Sequence, residues 1–222
     1  MITVKLPTGE YYNVKTLLAD GDSNAKLSKS DKSGKGYLTF GMSLAPANVS
    51  GYQVCASSSP GCRAACLYTS GHGKAKTVQT ARIAKTIAFF EHREQFRNML
   101  ELELLAANRK AKKQDKIAAV RLNVVSDVMW EKQFPGILQT YNDIQFYDYT
   151  KHYKRMLDYC RDGMFVDNYH LTFSRSEENE QQCLSILESG GNAAVFAGVK
   201  GEDCHATAGF EAPRQLVEKA VE

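Results

Sequence analysis

The sequence predicts an α/β fold, a partial (β/α) TIM-like barrel with about five to six parallel strands. From residue 116 onwards, short apolar or aromatic segments alternate with helical segments in units of about 25 residues, which is the pattern of parallel strands joined by helical crossovers. Together with a strand predicted over 37–46, about five strands are visible, too few for a closed eight-stranded barrel. An open α/β sheet is therefore the alternative architecture.

The first half of the chain contains one predicted strand and one long helical segment. Residues 1–36 are polar and aperiodic, which predicts an N-terminal arm or loop. Residues 37–222 are predicted to form a single α/β domain. Aromatic and apolar residues alternate over 37–46, which predicts the first strand. Apolar residues recur at helical spacing over 76–112, and this unusual length predicts a break near Glu91–Glu94.

Predicted strands and helices alternate in the second half of the chain. Gly190 and Gly191 suit the end of a helix, where a left-handed residue is common. Pro213 suits the first turn of a helix, whereas Pro135 falls inside a predicted one. The predicted strands are 116–126, 143–150, 168–175 and 192–199, and the predicted helices are 130–141, 151–160, 177–189 and 212–221.

The composition is that of a globular protein whose core does not need disulfides. The chain has 222 residues, of which 43% are hydrophobic and 24% charged, and its net charge is +3. It shows no signal peptide and no apolar run of the roughly 18 residues that span a bilayer. We therefore expect a cytoplasmic protein without a membrane partner, in which cysteines stay reduced.

Nucleic acid is only weakly indicated as a partner. Lysine-rich segments at 26–35 and 109–116, with Tyr37 and Tyr52 nearby, carry the residue types that bind single strands. Such segments are usually solvated faces, and a net charge of +3 is too small to imply nucleic acid by itself.

Half of the six cysteines lie in one short loop at residues 55–66, rich in Ser, Gly and Pro. Cys55, Cys62 and Cys66 have the spacing C-x6-C-x3-C, and thiolates so clustered are typical ligands of a metal or an iron–sulfur cluster. Zinc at a structural site needs four ligands. Candidates for the fourth ligand, if there is one, are His72, Cys204 and His205. Cys160 and Cys183 lie on predicted helices and are interpreted as core residues.

The predicted strand ends are polar. In parallel α/β proteins the functional residues gather at the carboxyl ends of strands, so these side chains predict a pocket beside the cysteine loop. Their other interpretation is that some of them cap the helices that follow. The candidate pocket residues are Asn123, Ser126, Asp127, Lys151, Ser174 and Arg175.

Four segments, SPGCRAACL, VRLNVVSDVMWE, FYDYTKHYKRM and NYHLTFSRSEEN, occur in this order. As a set they resemble an uncharacterised bacteriophage gene-product family and a related phage family with radical S-adenosylmethionine features. The matching positions are Ser59 to Cys62, Ser126 with Asp127, Thr150 and Lys151 with Arg155, and Ser174 to Glu177. The resemblance covers Tyr37 to Asn192 and implies a partial TIM-like barrel that carries a 4Fe–4S cluster.

The chain departs from the radical-S-adenosylmethionine pattern in two ways. Its loop is C-x6-C-x3-C instead of C-x3-C-x2-C, with Cys66 one residue later than in the related phage loop. The Gly-Gly-Glu motif that holds the amino group of S-adenosylmethionine is missing, and the strand in its place ends in 123–127. Cluster binding is therefore better indicated than S-adenosylmethionine chemistry.

Two functional hypotheses follow. The first is a phage-encoded protein of the host cytoplasm that binds a 4Fe–4S cluster through Cys55, Cys62 and Cys66. If it is an enzyme, it is radical-S-adenosylmethionine-like, with S-adenosylmethionine as a second cofactor and an unknown small-molecule or macromolecular substrate. The second is a zinc-stapled module that binds nucleic acid or a host protein without catalysis.

Overall fold

The computed structural model describes residues 1–21, 36–162 and 166–195. Several predicted features lie outside the described residues: the helix 212–221, the candidate ligands Cys204 and His205, and the lysine-rich segment 26–35. So does the second half of the predicted strand 192–199. In the described part of the chain, no helix is both long and apolar enough to cross a bilayer.

The described residues contain eight strands and eight α-helices. The strands are Ile2–Lys5 (β1), Tyr11–Val14 (β2), Ala19–Asp20 (β3), Tyr37–Gly41 (β4), Ile117–Arg121 (β5), Gln145–Thr150 (β6), Tyr169–Ser174 (β7) and Ala193–Ala194 (β8). The helices are Ala47–Ser50 (α1), Pro60–Ala64 (α2), Lys76–Glu91 (α3), Arg93–Lys112 (α4), Trp130–Gln133 (α5), Ile137–Thr140 (α6), Tyr153–Asp162 (α7) and Glu180–Glu188 (α8).

Six of the strands form one mostly parallel sheet in the order β3-β4-β5-β6-β7-β8. Strand β3 is antiparallel to β4, whereas β4 with β5, β5 with β6, and β7 with β8 are parallel. In the central register, Val120 pairs with Phe40 on one side and with Phe146 on the other. The predicted α/β class with parallel strands is confirmed. No pairing joins β8 to β3 in the described ranges, so a barrel is not confirmed.

The long helical segment is broken, as its length predicted. Helix α3 ends at Glu91 and α4 begins at Arg93, with His92 between them at φ −126° and ψ 48°, outside helical geometry. Across the break, Phe89 on α3 and Phe96 on α4 are both buried and pack against each other, with ring centroids 5.4 Å apart.

The predicted helix 130–141 is two short helices. Pro135 disfavours a helical conformation at the residue before it, and Phe134 accordingly has φ −132° and ψ 78°. Gly136 then takes φ +86°, a left-handed conformation that glycine adopts without strain. The prediction of one continuous helix was therefore wrong.

Strands β1 to β3 were not predicted. Ile2 and Val4 are buried while Thr3 and Lys5 are exposed, which is the alternation of a half-buried strand. The alternation extends over only four residues in β1, too few to distinguish it from a polar arm. Gly9, at φ +90°, makes the turn into β2.

The chain divides into two compact units. The described residues of the first unit lie within Met1–Cys55, Leu67–Asp148 and Val166–His170, and those of the second lie within Ala56–Cys66, Tyr149–Phe165 and Leu171–Glu222. The predicted division into an arm of 36 residues and a single domain stays a prediction.

Each unit has its own buried side chains. The first packs Phe89, Phe96, Trp130 and Phe134 against one another, with ring centroids 5.0 Å apart for Phe89 and Trp130. In the second unit the Tyr153 ring lies 6.2 Å from that of Phe173, and the Tyr153 hydroxyl is 2.9 Å from the Ser185 hydroxyl.

Candidate functional site

The cysteine loop contains one short helix, α2, that begins beside Cys62. Ser59 is its N-cap residue, and the Ser59 Oγ accepts a hydrogen bond of 3.2 Å from the Cys62 N–H. Pro60 occupies the first helical position, where its missing N–H has no cost. Cys55, Cys62 and Cys66 are half-buried, and none forms a disulfide.

A carboxylate from the end of β7 holds the turn at the start of α2. Glu177 Oε2 accepts a hydrogen bond of 2.8 Å from the Ser59 hydroxyl, and Glu177 Oε1 accepts one of 2.6 Å from the Gly61 N–H. Hydrogen bonds from its own backbone N–H, from Gly61 and from Ser59 lower the pKa of Glu177. The ionised form therefore fixes the turn.

Two further polar pairs lie in the same unit as Glu177. Lys151, which follows β6, places its Nζ 2.9 Å from the Ser174 Oγ at the end of β7. Arg175 forms an ion pair with Glu180 at 3.0 Å, and only 7% of the Arg175 side chain is exposed. The structure therefore places Lys151 and Ser174 in hydrogen-bond contact, and their role in a cofactor pocket stays a prediction.

The loop between β7 and α8 is organised by Asn179. Its Oδ1 accepts a hydrogen bond of 2.6 Å from the Ser176 N–H, and its Nδ2 donates one of 3.1 Å to the Ser174 carbonyl oxygen. Helix α8 accordingly begins at Glu180, three residues later than predicted, and Glu177 is left in the loop. The sequence did not identify Asn179 as important.

In the first unit, Asn123 is buried at the centre of a hydrogen-bond network. Its Nδ2 donates to the Val128 carbonyl oxygen at 2.9 Å and to Asp148 Oδ2 at 3.1 Å. Its Oδ1 accepts from the Ser126 hydroxyl, the Val128 N–H and the Trp130 Nε1–H. These five bonds use both the donor and the acceptor atoms of the amide, so Asn123 shapes the loop after β5.

Asp127 lies beside the first cysteine. The Asp127 N–H donates a hydrogen bond of 2.8 Å to the carbonyl oxygen of Val54, the residue before Cys55. This backbone bond places Asp127, in the loop after β5, beside the residue that precedes Cys55. The role of Asp127 and Ser126 in a cofactor pocket stays a prediction.

The three cysteines are not assembled into a metal site. In residues 1–21, 36–162 and 166–195, no group of three or more His, Cys, Asp or Glu side chains is arranged to hold a metal ion. His72 lies in a short 3₁₀ helix, Gly71–Lys74. Cluster binding through Cys55, Cys62 and Cys66 therefore remains a prediction from the sequence spacing.

The other two described cysteines lie on helices, as predicted. Cys183 is completely buried, and burial raises the pKa of its thiol to about 11. Cys160 is half-buried on α7, and burial also raises its pKa. A raised pKa disfavours the thiolate form, which suits structural thiols more than ligands.

Sequence reasoning missed the role of three polar residues. Asp148 and Asn179 are buried or nearly so and bond to backbone groups, and Glu177 bonds to a turn 116 residues earlier in the chain. Glu177 lies in the segment NYHLTFSRSEEN, but its place there does not show that it bonds to the turn before Cys62. Nothing in the local sequence marks Asp148 or Asn179.

Comparison with known proteins gives one match. No curated protein and no solved structure matches the chain. A family model described as Gene product 88 matches residues 16–217. The match covers most of the chain and supports the resemblance to a phage gene-product family, whereas the resemblance to a phage family with radical S-adenosylmethionine features is not supported. This protein belongs to the Gene product 88 family, a family of phage gene products.

Proposed function

We propose that this protein binds a 4Fe–4S cluster through Cys55, Cys62 and Cys66. The observation that carries the proposal is the presence of three half-buried thiols, none in a disulfide, within one loop of twelve residues. Iron–sulfur clusters are held by cysteine thiolates, and closely spaced cysteines in a loop are their usual ligands. Radical-S-adenosylmethionine-like architecture is part of the proposal, and the six-stranded, mostly parallel sheet is compatible with it.

Under this proposal, the three cysteine thiolates come together when the cluster binds. The described residues contain no arrangement of three ligands, so the loop has to rearrange around the metal. Such coupling is common, because a ligand site is often ordered only when metal binding supplies the free energy. Apart from Ser59, the residues of the loop are half-buried or exposed, so a rearrangement exposes little buried surface.

Positive charge near the turn supports binding of an anionic group. Lys151 lies close enough to Glu177 to lower its pKa, after the three hydrogen bonds that dominate the effect. A cluster held by three thiolates leaves one iron with an open position, which is where S-adenosylmethionine binds in radical enzymes. The residues proposed from the sequence to bind this second cofactor are Asn123, Ser126, Asp127, Lys151, Ser174 and Arg175.

The test is anaerobic reconstitution with ferrous iron and sulfide. We expect a brown protein with broad visible absorption and equal amounts of iron and acid-labile sulfide. Serine substitution of Cys55, Cys62 or Cys66 should abolish the absorption. The matched control is Cys160→Ser, which changes another half-buried thiol outside the loop and should leave the absorption intact.

Two results would overturn parts of this proposal. A colourless protein that binds one zinc per chain would favour the zinc-stapled module instead. A reconstituted cluster that neither binds nor cleaves S-adenosylmethionine after reduction would remove the radical-enzyme part and leave an iron–sulfur protein. Nucleic-acid affinity that falls steeply with salt would support the binding module.

A further inference from the structure

We propose that Glu177 is the positioning residue of the cysteine loop, and that it requires glycine at position 61. This inference rests on the proposed function for its importance, but its geometry is independent of any metal. Glu177 touches no cysteine sulfur in the contacts described above. It acts through the turn 59–61, which leads directly into Cys62.

Both carboxylate oxygens of Glu177 are used by this turn. Oε1 accepts from the Gly61 N–H at 2.6 Å and Oε2 accepts from the Ser59 hydroxyl at 2.8 Å. The Ser59 hydroxyl donates its hydrogen to Glu177, so its lone pairs face the Cys62 N–H, 3.2 Å away. A single carboxylate therefore orients two consecutive hydrogen bonds that end on the backbone of Cys62.

The close approach of the carboxylate explains the glycine. A Cβ atom at position 61 would lie 2.8 Å from Glu177 Oε1 and 2.9 Å from its Cδ, distances that real Cβ atoms essentially never show. Any side chain at this position therefore has to displace the carboxylate. Since the displaced group is the end of a flexible side chain on the surface, Gly61→Ala should remove the two hydrogen bonds while leaving the fold intact.

The alternative is that Ser59 alone holds the start of α2. Ser59 caps the helix by accepting from the Cys62 N–H, a bond that does not need Glu177. If capping were sufficient, loss of Glu177 would leave the turn as well ordered as before. The two interpretations predict different protection for the Gly61 N–H, because this group donates its hydrogen bond to Glu177 and not to Ser59.

The experiment measures hydrogen exchange of the Gly61 amide and the alkylation rate of Cys62 in the metal-free chain. The variants are Glu177→Ala, Glu177→Gln and, for the alkylation rate, Gly61→Ala. The matched control is Glu178→Ala, which removes the neighbouring exposed carboxylate. We expect Glu177→Ala to speed exchange of this amide at least about tenfold, because its acceptor is gone. Glu177→Gln keeps one acceptor oxygen, so its exchange rate at the Gly61 amide should lie between those of the wild type and Glu177→Ala.

The double variant Gly61→Ala with Glu177→Ala tests the coupling. Because alanine at position 61 acts by displacing the carboxylate, it should change the Cys62 alkylation rate little further once Glu177 is gone. Fully additive effects would overturn the inference. An unchanged Gly61 exchange rate in Glu177→Ala would overturn it as well.

Metal loading separates this inference from the proposed function. If the wild-type chain takes up no iron, the proposed function fails, and the role of Glu177 is judged from exchange and alkylation alone. If the wild type takes up a cluster, Glu177→Ala should bind iron about 10- to 100-fold more weakly, the usual effect of losing a group that orients a ligand. Equal affinity in the two chains would refute the positioning role and leave cluster binding standing.

Discussion

Replacing Asn123 with alanine should strongly destabilise the first unit. The side chain makes five hydrogen bonds, and those to Val128, Trp130 and Asp148 are buried. A buried polar group that loses its partner costs about 1–3 kcal/mol, although neighbouring groups recover part of this. We therefore expect Asn123→Ala to lower the free energy of unfolding by about 3–5 kcal/mol, a large share of the roughly 5–15 kcal/mol of an ordinary domain.

Trp130 makes the measurement direct, because it is the only tryptophan in the chain. Its indole N–H lies 3.1 Å from Asn123 Oδ1, and its ring packs among Phe89, Phe96 and Phe134. Urea unfolding followed by tryptophan fluorescence therefore reports on the network and on the surrounding core together. The linear extrapolation to zero denaturant gives the difference in free energy.

Two controls limit the interpretation. Asn13→Ala removes an exposed asparagine with one side-chain hydrogen bond, to Thr3, and should change stability by no more than about 0.5 kcal/mol. Asn123→Asp places a carboxylate oxygen where Nδ2 lies, 3.1 Å from Asp148 Oδ2. The repulsion between the two carboxylates should lower the free energy of unfolding at neutral pH. Part of that loss should be recovered in acid, where a protonated carboxyl can donate a hydrogen bond. A change under about 1 kcal/mol for Asn123→Ala would refute the reasoning.

Three further substitutions test other parts of the structure. Burial lowers the pKa of Lys85 to about 8, so the free energy of unfolding should rise with pH between about 8 and 10.5, by up to about 1.4 kcal/mol per pH unit. Lys85→Met should flatten that slope when urea unfolding is measured at several pH values. Phe96→Ala, in the core, should cost about 3–5 kcal/mol by urea unfolding, whereas exposed Leu102→Ala should cost less than about 0.5. Gly191→Ala would put a Cβ 2.5 Å from Cys160 Sγ; it should lower the melting temperature, and Cys160→Ala should restore part of the loss.

Periodicity and length predicted most of the larger elements. The apolar repeat predicted the helical segment, and its excess length predicted the break that the structure has at His92. Alternation of strand and helix predicted the parallel pairing of β4, β5 and β6. Local chemistry outweighed the pattern at Pro135, because the apolar spacing continues through a residue that ends a helix.

The polar residues were harder to predict, because a sequence shows that a residue is polar but not which group it meets. The position of Asn123 in the sequence predicted a pocket residue, but it could not show that the amide is buried and bonds to Val128. Glu177 and Ser59 are 118 positions apart, and no periodicity links them. Only the topology of the chain decides such pairs.

Asp127 and Glu177, in the loops after β5 and β7, each form hydrogen bonds to the chain near a cysteine. The Asp127 N–H binds the carbonyl oxygen of Val54, next to Cys55, and Glu177 binds the turn that precedes Cys62. Each contact fixes the chain beside a cysteine, and neither uses a cysteine sulfur. This separates two effects that substitutions can distinguish. A cysteine variant removes a ligand and should abolish metal uptake with the Gly61 amide still protected, whereas a Glu177 variant keeps every ligand and should weaken uptake in proportion to the protection that is lost.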